Sequence, residues 1–145
     1  MRVSTRTRYA ARALAAIAAG GEKGPVSVRK LAEGERISAK YLEHILCGLS
    51  AAGLVRAVRG KCGGYELARP AESITLRVVF EVMEGTLAPV ECVDDPLRCP
   101  MVVTCPTHAT WVELREAVVQ VLERTTVREL AERKKAAVAP SPFPV

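Results

Sequence analysis

Aromatic side chains are scarce in this chain: one Trp, three Tyr and two Phe in 145 residues. Proteins that hold single-stranded nucleic acid stack bases on aromatic faces, so that mode of binding has little material here. Histidine is scarcer still, with two residues. Neither a nucleophile–base constellation nor a glycine-rich phosphate loop accompanies them, which leaves an enzyme little to work with. No apolar run approaches the roughly 20 residues of a membrane span. The Ala-rich N-terminus is interrupted by Arg12, leaving only Ala13 to Ala19 as an apolar stretch. That is short for an export signal, and Tyr9, Ala13, Leu14 and Ile17 recur at helical spacing. An amphipathic first helix over about 5–19 is expected instead. No internal repeat is visible. Five cysteines, an odd number, fit a disulfide framework poorly and a reducing cytoplasm well.

What is present is charge of one sign in one half. The formal net charge is +5. Residues 1–80 hold 14 Lys/Arg against 6 Asp/Glu, whereas residues 81–145 hold 7 against 10. The first half should face a polyanion, and the shortage of aromatics leaves duplex DNA or an anionic surface as candidates.

The basic half carries repeated helix-start signals. Ser27 is an N-cap with Val26 and Leu31 as a hydrophobic staple, predicting a short helix over 28–33 that stops at Gly34. Ile37, Ser38 and Leu42 repeat the device for a helix over 39–52 ended by Gly53. Two capped helices across a tight turn make a helix-turn-helix. Leu42, Ile45, Leu46 and Leu49 form the buried stripe of the second. Ser38, Lys40, Tyr41, Glu43, His44 and Cys47 are left at its front and outer face, the face able to enter a major groove. Short strands follow at Leu54 to Val58 and Tyr65 to Leu67 around the tip Arg59-Gly60-Lys61-Cys62-Gly63-Gly64, a glycine-rich hairpin that reads as a wing. Small residues there permit close approach to phosphates, and Arg59 suits the minor groove. The candidate DNA-contacting set is therefore Ser38, Lys40, Tyr41, Glu43, His44, Arg59, Gly60, Lys61, Gly63, Gly64 and Tyr65. Glu43 would act by exclusion, since a carboxylate repels phosphate and accepts only from cytosine amino groups.

A capped helix over 75–84, with Ile74 and Val79 as staple and Gly85 as stop, leads into ECVDDPLRCPMVVTCPTH. This stretch gathers Cys92, Cys99, Cys105 and His108 as C-x6-C-x5-C-x2-H. Pro96, Pro100 and Pro106 forbid one continuous helix or strand through it, so the four must sit on a folded loop. Soft sulfur and imidazole suit zinc or an iron–sulfur cluster. The tight C-x2-4-C knuckle usual in zinc fingers is absent, which favours a cluster. The plain alternative is that the cysteines are small hydrophobes and His108 a helix cap. Pro106 fits the first turn of a long helix on which Trp111, Leu114, Val118, Val121 and Thr125 fall at alternating three- and four-residue steps, a coiled-coil-like seam suited to dimerisation. Thr126 and Glu129 suggest a capping box for a last helix to about Lys135, and the tail has the composition of a disordered end.

The phrase ISAKYLEHILCGLSAAGLVRAVRGKCGGYELARPAESITL resembles the winged-helix signature of the IscR/NsrR/CymR superfamily of bacterial transcriptional regulators. CPTHATWVELREAVVQVLERTTVREL is similar to the segment after the third cysteine in its IscR-type members. The resemblance implies a mainly α fold with a small β-hairpin wing: a winged helix-turn-helix plus a long C-terminal dimerisation helix. Its expected parts are a DNA-binding domain over 1–80, a cluster-binding loop (91–108) and dimerisation helix over 81–135, and a disordered tail over 136–145. It further implies a homodimer on a near-palindromic double-stranded DNA site, a cytoplasmic location, and contact with iron–sulfur assembly machinery as a further partner. IscR-type members carry a 2Fe-2S cluster on three cysteines and one histidine, which here match Cys92, Cys99, Cys105 and His108. NsrR-type members, which sense nitric oxide, lack that histidine and commonly hold 4Fe-4S, while the CymR branch lacks the three-cysteine loop. A regulator with a structural zinc site is the remaining alternative. Two departures stand out: six residues separate the first two cysteines where the superfamily usually has five, and Lys61-Cys62 occupy a wing tip that often carries Pro and Gly.

Overall fold

Three hydroxyl caps decide where the central helices begin. In the computed structural model, which describes residues 3–138, Ser27, Ser38 and Thr75 each accept a hydrogen bond from the backbone N–H three residues on. Capping satisfies one of the donors that a helix start leaves orphaned. The elements in order are α1 (Thr5–Gly20), α2 (Val28–Glu35), α3 (Ala39–Ala51), β1 (Val55–Val58), β2 (Gly64–Leu67), α4 (Leu76–Glu84), α5 (Glu91–Asp94), α6 (His108–Arg124) and α7 (Val127–Val138). The described residues are mainly helical with one antiparallel hairpin, paired in the register Val55↔Leu67 to Val58↔Gly64.

The core lies around α1, whose Ala10, Ala13, Leu14 and Ile17 are buried. Small side chains on this helix let α2, α3, α4 and α7 approach it closely. The staple pairs all point into the same core: Leu31, Ile37, Leu42, Ile74 and Val79 are almost fully buried, and Val26 packs against them. Val127 of α7 is also buried there, so the last helix shares the core of residues 1–80.

Several boundaries differ from the sequence expectations. Gly34 does not stop α2. The helix runs through it to Glu35 and ends at Arg36, which adopts the left-handed conformation at φ 54°. The Ile37 N–H then reaches back to the Ala32 carbonyl at 3.0 Å, carrying the Ile37 side chain into the core. The same end recurs in α3 with Gly53 at φ 68° and Leu54 N–H on the Leu49 carbonyl at 2.9 Å. Pro106 lies outside α6, which begins only at His108. A single turn of helix, α5, forms inside the cysteine loop ahead of Pro96. At α7 the Thr126 hydroxyl accepts from Glu129 N–H at 3.2 Å, but the Glu129 carboxylate pairs with Arg133 rather than closing the box. α7 continues to Val138, so residues 136–138 of the expected tail are helical, and the rest of that tail lies outside the described residues. Among the described residues no helix is long and apolar enough to cross a membrane.

Candidate nucleic-acid interface and metal-binding loop

The front of α3 is built by an inside–outside division. Leu42, Ile45, Leu46 and Leu49 have no solvent exposure. Lys40, Tyr41, Glu43, His44 and Cys47 are therefore turned outward, and all five are exposed. Ser38 accepts from Tyr41 N–H at 3.3 Å, which leaves its own hydroxyl hydrogen free to donate.

The wing is fastened to the helix-turn-helix. Tyr65 and Val26 exchange two backbone hydrogen bonds of 2.9 Å, an antiparallel bridge between β2 and the segment before α2. That bridge explains Gly64, and the tight turn of the hairpin itself explains Gly63. A Cβ on Gly64 would stand 2.3 Å from the Val26 carbonyl oxygen, and one on Gly63 2.3 Å from that of Val58. Both are thus required by packing, whatever touches them from outside. Tyr65 is half-buried against the core, whereas Arg59, Gly60, Lys61 and Cys62 are exposed at the tip. Arg56 is taken up by a cross-strand pair with Glu66 at 2.6 Å. Lys40, Arg59 and Lys61 make no ion pair among the described residues.

The second half differs. Arg98 faces Glu91 and Asp95, Arg115 faces Asp94, Arg128 faces Glu72 and Glu132, and Arg133 faces Glu129. Most of its cations are neutralised within the chain. The contrast matters because only an unpaired cation displaces counterions from a phosphate backbone without first breaking a bond.

The structure brings two of the four candidate metal ligands together. Cys92 on α5 and His108 at the start of α6 place Sγ and Nδ1 3.7 Å apart. Cys99 follows the turn Pro96–Arg98, and Cys105 sits before Pro106; all three thiols are half-buried and free. Among the described residues, no three Cys, His, Asp or Glu side chains converge as a metal site. The donor chemistry suits an iron–sulfur cluster or zinc, and the Cys92–His108 pair is half of such a set, with Cys99 and Cys105 not gathered to it. Cys105 carries a further sign of ligand chemistry. The Thr107 hydroxyl, 3.4 Å from its sulfur, lowers the thiol below its ordinary value, helped by the Thr107 and His108 backbone amides. A thiol biased toward thiolate is the form that binds metal.

The proposed seam on α6 is open. No residue of this 17-residue helix is buried. Leu114 and Val121 are 41% and 48% exposed, and Trp111 and Val118 are half-covered. Leu97, Met101 and Val103 of the cysteine loop are also exposed.

Sequence reasoning missed a buried carboxylate. Glu35, 3% exposed, accepts from Arg12 Nε at 2.9 Å and from Lys134. Its position at the end of α2, on the stripe with Leu31 and Ala32, was the only signal available.

A helix-turn-helix flanked by a hairpin wing defines a winged-helix DNA-binding protein. The family model for Rrf2, described as an iron-dependent transcriptional regulator, matches residues 3–133. The chain belongs to the Rrf2 family of transcriptional regulators. It is 38% identical over 130 residues to protein rrf2 of Nitratidesulfovibrio vulgaris, covering 90% of this chain and 87% of that one. Among solved structures, the IscR of T. potens superposes with a TM-score of 0.78 at 30% identity, covering 97% of this chain and 93% of the other. CymR, the global cysteine regulator of B. subtilis, superposes at 0.77 with 32% identity, covering 92% and 98%. These relatives are regulators, not enzymes. Overall likeness does not separate the IscR and CymR branches, so the distinction falls to the cysteine loop.

Proposed function

We propose that this DNA-binding regulator works as a cytoplasmic homodimer on a near-palindromic duplex and reports iron–sulfur status through a 2Fe-2S cluster on Cys92, Cys99, Cys105 and His108. The observation that carries the cluster reading is the Cys92–His108 pair at 3.7 Å, in a loop that supplies two further free thiols. A bound cluster would supply an oxidisable, removable centre whose occupancy tracks iron and oxidants. This chain's own residues would do the rest. His108, the one imidazole of the proposed set, is also the first residue of α6, so the ligand set and the long helix share a residue.

On the DNA side, the unpaired Lys40, Arg59 and Lys61 support contact with the backbone and minor groove, and exposed Tyr41, Glu43 and His44 support readout by α3. Trp111, Leu114, Val118 and Val121 are assigned to the dimer seam because nothing among the described residues covers them fully.

Anaerobic purification with iron and sulfide analysis tests the cofactor. A brown or red protein that loses its visible absorption in Cys99→Ala fits the cluster. A colourless protein containing zinc overturns it, and four irons per chain would move the assignment to a 4Fe-4S centre. Binding to a selected duplex at two salt concentrations tests the DNA face: Arg59→Ala should lower the salt slope by about one unit per lost contact in each subunit.

A further inference from the structure

Among the described residues Glu35 is the single buried charged side chain, and its bonds join three helices. It ends α2, immediately before the left-handed Arg36 that turns the chain toward α3. From α1, Arg12 Nε donates to Oε2 at 2.9 Å, and an Nη2 hydrogen goes to the Glu35 carbonyl. From α7, Lys134 donates to Oε1. A carboxylate this buried needs such partners, since an unpaired charge there would cost several kcal/mol.

The arrangement does not stop at Arg12. Two bonds to one residue fix the plane of the guanidinium, which a lysine ammonium could not do. That guanidinium lies over the Tyr9 ring, 5.4 Å from its centroid. The distance is within the range of cation–π attraction. Tyr9 in turn meets Tyr41 edge-to-face, with centroids 6.0 Å apart and the rings at 77°. Tyr41 is 37% exposed on the outer face of α3. A tyrosine on a solvated helix face is free to change rotamer; this one is held from behind by a ring that is itself held by a pinned cation.

We infer that Glu35 is a positioning residue for DNA readout: acting through Arg12 and Tyr9 it fixes the Tyr41 ring on α3, and its bond to Lys134 makes that setting depend on where α7 lies. The inference rests on the reading of α3 as the DNA-contacting helix. It goes further by giving α7 a route to that helix across α1.

Arg12→Met is the variant of choice. Arg12 is 46% exposed and Glu35 keeps Lys134, so the fold survives the change. In the free protein, with tyrosine rings isotopically labelled, Arg12→Met should shift the Tyr41 ring signals and reduce their order. Unchanged Tyr41 signals overturn the inference without reference to DNA. On a duplex selected by the wild-type protein from a randomised library, Arg12→Met should weaken binding roughly three- to tenfold. In a Tyr41→Ala background it should change affinity less than about twofold, because contacting groups are not additive. Equal losses in both backgrounds would mean that Arg12 acts on DNA directly and overturn the relay. Arg12→Lys keeps the charge without the fork and should resemble Arg12→Met; full rescue by lysine counts against positioning. If Tyr41→Ala binds like wild type, the DNA role of Tyr41 fails, while the ring signals still judge the packing separately.

Discussion

α3 and α6 are both amphipathic helices, yet one hides its apolar stripe completely and the other leaves its own half-covered or exposed. Four large side chains of α3 have no exposure, while α6, four residues longer, has no buried residue. Full burial of a leucine or isoleucine stabilises by about 1.5–3 kcal/mol, so the α3 stripe contributes several kcal/mol to the single chain. Among the described residues α6 gains no comparable contribution. Similar periodicity in sequence thus serves two ends: α3 is secured by its own domain so that its outer face can be offered, whereas α6 offers its apolar face itself.

The largest effect should come from breaking the first helix. Leu46→Asp buries an unpaired charge in the core and should unfold the chain, a loss above about 4 kcal/mol, seen as loss of helical circular dichroism. Leu114→Asp should separate the two cases. The chain should keep its helical spectrum while light scattering shows the dimer gone; unfolding instead would mean that α6 is satisfied internally.

A smaller effect concerns how α4, the helix leading to the loop, is held to α1. Glu84 accepts from Ser4 N–H at 3.1 Å and from the Thr7 hydroxyl. Contacts with Ser4 first, then Thr7, hold its carboxyl below the ordinary range. A lowered folded-state pKa means that the stabilisation is present above the unfolded carboxylate value and fades as pH falls through the folded one. Glu84→Gln should therefore be less stable than wild type at neutral pH, and the difference in melting temperature should narrow in acid. A gap that widens in acid contradicts the arrangement.

The smallest effect sharpens the setting of α3. Arg36 is exposed and left-handed, a conformation costing roughly 1–2 kcal/mol outside glycine. Glycine gives back part of that through its looser unfolded chain, so Arg36→Gly should stabilise by about 0.5–1 kcal/mol in chemical denaturation.

These positions also mark what could be read from sequence. Caps and staples are local, so Ser27, Ser38 and Thr75 announced three helices, and Gly53 the end of one. Gly34 looked like a stop on the same logic. It failed because core packing of Ile37, not the preference of the residue at the end, decides where α2 turns. The wing glycines were legible as a hairpin, but the Val26 bridge that demands Gly64 was not. Glu35, Arg12 and Lys134 stand 23 and 99 residues apart as pairs, and no periodicity encodes such a meeting. The cysteine loop was legible as a ligand set from residue type alone. Its geometry was not, because proline-broken segments carry no repeating pattern to fix their path.

One joint gives α6 a mechanical character. Where α6 passes into α7, Leu76 N–H bonds the Thr125 carbonyl and Val127 N–H bonds the Ile74 carbonyl, both at 2.8 Å. This two-bond clamp anchors one end of α6 to the start of α4, while His108 stands at the other. At 1.5 Å per residue, the 17 residues between make an arm of roughly 25 Å. A rotation of about 5° at the fulcrum would carry the His108 end by roughly 2 Å on that arm length. Read in the other direction, a displacement of ordinary bond dimensions at the cysteine loop reaches the clamp as a torque with long leverage, delivered at the root of α7, the helix whose Lys134 holds Glu35.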